Sequence, residues 1–326
     1  MNEERFFNNE GDFVDYLNDV AEHTERRVMF PGMMTFEYEP EAECGMVVKQ
    51  GLFSDYVREC SIRSLFERYG LSGSILERLS AEDRVNLLNE FGVKYAPNTT
   101  IQAPVVYGKI NAFLSSGYTP YPENKLFELV NKEIKKLGIS RFHGYWSYHQ
   151  SMGVYHTEMT WTDPDGVKHS IIIRVRTSEI GESSVAFRVE FDTGKGYSVP
   201  MMTDHYIIHK NSGIADSVKA MVDSFETVIV EQSRKLGALM MVGISNPRNA
   251  TKRAAQFAKL PKRAVLEILA NTTFDENTSA FDIYYVLSQV IFKADTEKDR
   301  IRYGGDLAKL IKVNWEQFDL PGEYAW

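Results

Sequence analysis

Between residues 143 and 192 the chain alternates apolar and polar side chains with a period of two through four successive runs, a period that suits a sheet and not a helix. Val185, Phe187, Val189 and Phe191 interleave with Ala186, Arg188, Glu190 and Asp192. Ile171, Ile173 and Val175 interleave with Ile172, Arg174 and Arg176. Successive strand side chains point to opposite faces, so the pattern predicts a half-buried antiparallel meander with Arg174, Arg176 and Arg188 opposite the apolar set. Asp163-Pro164-Asp165-Gly166 is the turn between its second and third strands.

The flanking segments change period. Phe13, Leu17, Val20 and Ala21 stand at helical spacing before Pro31-Gly32 breaks the pattern. Helices are predicted over 61–69, 73–79 and 81–91, with Gly70-Leu71-Ser72 and Gly92 as punctuation. The first two have a superficial helix-turn-helix look, but helix pairs of this kind more commonly pack on a core. A hairpin follows around Gly108-Lys109, then a helix over 124–137 stopped by Gly138. Beyond the meander a single long helix is predicted over 214–241, and further helices after Pro247 and over 278–313. The predicted class is α+β, an antiparallel β-meander packed on long helices with helical N- and C-terminal sections. Its predicted divisions are an acidic N-terminal arm 1–43, a helical section 44–100, an α+β core 101–241 and a C-terminal helical section 242–326.

Charge qualifies this picture. The net charge is −8, but residues 1–43 hold twelve Asp/Glu against Arg5, Arg26 and Arg27, which leaves 44–326 at +1. The arm is therefore read as a solvated appendage whose removal leaves a folded, nearly neutral body. With 326 residues, 43% of them hydrophobic, the chain can bury a large core. It contains no apolar run of the roughly 20 residues a spanning helix needs. The start MNEERFFNNEGD is unlike a signal peptide, and two cysteines, Cys44 and Cys60, make no disulfide framework. No membrane association and a cytoplasmic location are expected.

Candidate nucleic-acid-binding residues follow from stacking and phosphate neutralisation. They are Arg174, Arg176 and Arg188, with Tyr145, Trp146 and Tyr148 of the meander and Lys252, Arg253, Lys262 and Arg263 of the basic segment 247–263. Strand parity separates Tyr145 from Trp146, so one row only, Trp146 with Tyr148 or Tyr145 with His143, can share a face with the arginines. No catalytic constellation and no cofactor are expected: there is no phosphate-cradling GxxxxGK[ST], no GxSxG, and Ser178-Glu179 reads as a strand-end turn. His205 and His209 with Asp204 have a metal-like interval, yet Tyr206, Ile207 and Ile208 between them favour a strand, on which four residues span about 13 Å. No metal is assigned to them.

The segment VYGKINAFLSSGYTPYPENKLFELV resembles part of the phage and plasmid DUF932-type family. IRSLFERYGLSGSILERL, RTSEIGESSVAFRVEF and SAFDIYYVLSQVIFKADTEKDRIRYGGDLAKLI resemble further parts of that family in the same order, over about residues 60–311. The family's element after the meander is replaced by VPMMTDHYIIHKNSG. The resemblance implies a phage or mobile-element origin. The order of elements is also similar to that of Rad52-like and RecT-like strand-annealing proteins, an architectural analogy. Together these imply single-stranded nucleic-acid binding in recombination or replication, with annealing as its most concrete form, and a homo-oligomer. The alternative is a phage-encoded interaction or assembly protein that engages a phage or host protein through the acidic arm and exposed aromatics.

Overall fold

The period-two runs fold as four long antiparallel strands, and the elements of the larger of two cores are placed by what they bury against them. The computed structural model of the protein describes residues 4–76, 78–95, 98–118, 121–163, 166–178, 185–207 and 213–326. From the N-terminus run β1 (Glu4–Phe7), α1 (Glu10–Glu22), β2 (Thr24–Met29), β3 (Thr35–Tyr38), β4 (Met46–Gln50) and β5 (Phe53–Val57). Next come α2 (Glu59–Arg68), α3 (Gly73–Leu76), α4 (Ala81–Tyr95), β6 (Ile101–Val106), β7 (Lys109–Ile110), β8 (Leu114–Ser115) and α5 (Glu123–Ile134). The meander is β9 (Ile139–Ser147), β10 (Ser151–Thr162), β11 (Lys168–Thr177) and β12 (Val185–Asp192), followed by β13 (Ser198–Pro200) and β14 (His205–Ile207). The chain closes with α6 (Ile214–Asp223), α7 (Phe225–Met240), α8 (Pro247–Phe257), α9 (Lys262–Ala270), α10 (Ala280–Phe292) and α11 (Glu297–Ala308). The class is α+β.

The first sheet has the order β1-β9-β10-β11-β12-β13, with β14 also on β12, and is antiparallel throughout. Its apolar face, with Phe142, Tyr155, Ile173, Phe187 and Phe191, is covered by α1 and α5 to α10 in one core. A second sheet, β2-β6-β7-β5-β4-β3 with β8 on β6, packs its own core on α2 and α4 through Val48, Val57, Phe66, Leu88 and Val105. Of the Asp163 to Gly166 turn, the ends are described: Gly166 N–H donates to Asp163 O at 3.0 Å, and Gly166 takes φ +80°.

Three sequence expectations change. Residues 1–43 are no appendage: β1 extends the meander sheet beside β9, β2 and β3 form the two edges of the second sheet, and α1 buries Phe13 and Leu17. Net charge hid this, because the acids line the solvent side of a helix whose other face is apolar. Residues 44–57, placed in a helical section, form β4 and β5. The single helix over 214–241 is two, broken at Ser224, whose hydroxyl donates to Met221 O at 2.7 Å and so competes with the helical ladder.

The seat of Phe13 is built from backbone. Gly144 on β9 lies directly across from Gly153 on β10. A Cβ at Gly144 would come within 2.8 Å of the Phe13 ring, and one at Gly153 within 3.1 Å of Phe127, whose ring meets Phe13 edge-on at 4.9 Å. Two facing glycines thus open a notch that Phe13 of α1 and Phe127 of α5 fill together. Phe13→Ala should cost about 3–5 kcal/mol in chemical denaturation, the range for emptying a buried aromatic site. A loss below about 1 kcal/mol would return residues 1–43 to the periphery.

Candidate binding groove on the polar sheet face

The side chains opposite the main core are His143 and Tyr145 on β9, Met152, Val154 and His156 on β10, Ile172, Arg174 and Arg176 on β11, and Arg188, Glu190 and Asp192 on β12. Parity is therefore as the sequence predicts. Exposure is not, because α11 crosses this face. Thr296 starts that helix by accepting the Asp299 N–H at 3.1 Å, and Ile301 then packs with Tyr145, Met152, Val154 and Ile172. At Gly304 a Cβ would stand 2.9 Å from Arg188 Nη1, so the missing side chain is what lets the helix close over that guanidinium.

Between helix and sheet lies a charge-neutral network of three arginines and three carboxylates. Arg174 grips Glu190 with both ends of its fork, Nε to Oε1 at 2.9 Å and Nη2 to Oε2 at 3.1 Å, and gives Nη1 to Glu297 of α11 at 3.2 Å. Arg188 Nε is 2.8 Å from Glu190 Oε1 and 3.5 Å from Asp204 Oδ1. Arg176 Nη2 donates to Asp204 Oδ2 at 2.7 Å, and Ser198 donates to Glu190. Arg188 and Glu190 are each 2% exposed. Burial alone would raise the Glu190 carboxyl, but Arg174 and Arg188 outweigh it and hold the pKa down to about 2. Burial likewise works against the charge on Arg174, and Glu190, Glu297 and Asp204 overcome it and raise its pKa.

These contacts correct the first group of candidate residues: Arg174, Arg176 and Arg188 are paired and largely buried, not a free cationic face. The aromatics divide as parity requires. Tyr145 shares the arginine face but is 6% exposed and donates to Glu4 at 3.0 Å. Trp146 points to the main core, edge-on to Tyr16 at 5.2 Å and Tyr148 at 4.7 Å, and Tyr148 carries the Arg58 guanidinium 3.5 Å above its ring. Lys252, Arg253, Lys262 and Arg263 lie on α8 and α9 and do not line this face; Arg253 sits over Tyr324 and Lys252 donates to Tyr324 O. Asp204 is engaged by Arg176, His205 is an exposed residue of β14, and His209 lies outside the described residues. Among the described residues no group of three or more His, Cys, Asp or Glu is placed to hold a metal. Ser178 donates to His149 O at 2.7 Å, and Glu179 lies outside the described residues.

What remains open is a groove of about 590 Å³ between the polar sheet face and α11, inside the size range of about 300–1,000 Å³ common for ligand sites. Its floor is Arg174, Arg188, Glu190 and Glu297 of the network with Met152, Val154 and Ile172; its rims carry Phe6, 69% exposed, and Phe292, 58% exposed. Arg141 and Arg300 line it with heads about half exposed. At the Arg141 end His156 is buried, with Arg141 Nη2 3.0 Å from Nε2 and Asp192 Oδ2 3.5 Å from Nδ1. Burial and the Arg141 charge lower His156 to about 4, and both causes also lower His143. Arginine can only donate, so the neutral imidazole accepts. Phe6, Arg141, Phe292 and Arg300 were not singled out by sequence; the ERFF run and the α11 spacing show residues able to serve, and no local pattern brings them together.

A histidine whose folded pKa lies below its ordinary 6.5 takes its proton more readily when unfolded. Stability should therefore fall as pH drops from 6.5 to about 4 and lose nothing further through this group below that. Denaturant titrations across that window should give His156→Gln a slope shallower by up to one proton, or about 1.4 kcal/mol per pH unit. Equal slopes for variant and parent would contradict the buried, neutral imidazole.

No family model, curated protein or solved structure matches the chain.

Proposed function

We propose that the groove binds single-stranded nucleic acid, with Arg174, Arg188, Glu190 and Glu297 in its floor and the rim residues as the recognising groups. The observation that carries this reading is the pairing of two exposed phenylalanines, Phe6 and Phe292, with two half-exposed guanidiniums, Arg141 and Arg300, around one open groove. Rings offer bases a sequence-tolerant stacking surface, and guanidiniums meet the phosphates between them. Across the strand order from β1 to β13 the sheet measures on the order of 24 Å, five inter-strand steps of about 4.8 Å, enough for a strand to lie along it. A role in phage-type recombination or replication, strand annealing above all, and assembly into a homo-oligomer rest on the sequence resemblance.

A second reading has its own support. Phe30 N–H donates to Gln50 at 2.7 Å and Arg27 lies over Phe53, which gathers exposed Val28, Phe30, Leu52 and Phe53 on the second sheet. Such a patch suits a protein partner.

Gel shift with oligothymidylate at two salt concentrations separates the two. The groove reading predicts binding that weakens as salt rises, because counterions are released. Phe6→Ala and Phe292→Ala should each cost about 1–3 kcal/mol of binding, the worth of a stacked base. Arg141→Gln with Arg300→Gln should lower the salt slope by about 0.7 per lost phosphate contact. No shift even at low salt would contradict the groove reading and favour the protein partner.

A further inference from the structure

Helix α11 is a wall with a hollow on each side. Glu297, Arg300 and Gly304 face the groove, while Lys298, Ile301, Arg302, Gly305 and Asp306 face a second cleft of about 420 Å³, and the two hollows share no lining residue. Along α11 and its continuation, Lys298, Arg302, Gly305 and Lys309 recur at intervals of four, three and four, the spacing of one helix face. Opposite them stand Arg176 of β11, paired with Asp204 at 2.7 Å, and, between β13 and β14, the Thr203 hydroxyl, which accepts from Lys312 at 3.1 Å and so keeps its own proton to donate. Four cations line the cleft; Arg176 is tied to Asp204, while Lys309 pairs with Asp306 at 2.6 Å and Arg302 with Asp299 at 2.7 Å through exposed heads that an incoming oxyanion would share, and Lys298 adds a further exposed ammonium.

Lys298, Arg302 and Lys309 are exposed, and they border a concavity whose lining also includes His149 and Gln150. Gly305 keeps the wall low: a Cβ there would lie 3.7 Å from Asp204 Oδ2, so any larger side chain would fill the floor. Exposed cations bordering a recess with a hydroxyl donor suit a compact, multiply charged oxyanion. We infer that this cleft is a phosphoanion site, filled by a free di- or polyphosphate group or by the terminal phosphate of a nucleic-acid strand. It does not rest on the groove reading, because its ligand is bound by residues the groove lacks.

Isothermal titration with inorganic pyrophosphate tests it without any strand present. The parent protein should bind saturably, and Lys298→Gln/Arg302→Gln/Lys309→Gln should bind at least tenfold more weakly. Lys125→Gln/Lys219→Gln/Lys235→Gln, which removes the same charge from exposed helix positions elsewhere, should bind as the parent does. Lys298→Gln alone, at an exposed position, should weaken binding in the same direction. Absence of saturable binding, or equal weakening in the two triple variants, would overturn the site. Competition by 5′-phosphorylated but not 5′-hydroxyl oligothymidylate would support the site and assign it to strand ends; competition by neither would support a free phosphate ligand.

Discussion

The fork of Arg174 on Glu190, with Arg188 beside it, is the interaction on which the polar half of the molecule depends. Taking these charges out of water costs several kcal/mol per ion, and the cost is met only while every partner is present and well aimed. Glu190 supplies the sheet's half of the pairing and Glu297, at the start of α11, supplies the helix's. The helix in turn shields the network and reaches Arg188 closely because residue 304 has no side chain. Docking of α11 thus adds the Glu297 carboxylate to pairs the sheet side already holds and closes over Arg188. The hollows on either flank of the helix exist because it covers only the middle of the sheet face.

Much of this was legible in the chain. A period of two placed β9 to β12 and set which side chains share a face, since parity is local and survives any tertiary context. Exposure is another matter. Whether Arg188 meets water or a helix depends on residues more than a hundred positions away, and Gly304 looks like a poor helix residue until the guanidinium beneath it is seen. Phe13 and Gly144 pose the same problem, because each is ordinary alone and complementary only together. The break at Ser224 was missed since apolar spacing continues across it, and only the hydroxyl's bond to Met221 marks it. Charge counting misled most at the N-terminus, where acids on one face of α1 concealed the core residues on the other.

The arginine alternation that draws the eye in the sequence makes ion pairs within the fold, and in the proposed reading recognition passes to groups at the edges. Phe6 comes from the edge strand β1, Arg141 from β9, Phe292 from the end of α10 and Arg300 from α11. Edge positions suit that role, because a side chain there is held by the sheet or helix that bears it and still reaches solvent. Beneath them Glu190, paired with Arg174 and Arg188, stays ionised down to about 2.

The central claim is that the meander arginines hold the fold together and leave ligand contact to the rim. Arg188→Ala tests it most directly, read by chemical denaturation and by the salt dependence of oligothymidylate binding below the variant's melting temperature. Removing one partner of a buried ion network should cost about 3–5 kcal/mol and leave the salt slope as it is in the parent. Unchanged stability, together with a slope lower by about 0.7, would mean that Arg188 meets phosphate in solution and would contradict the account.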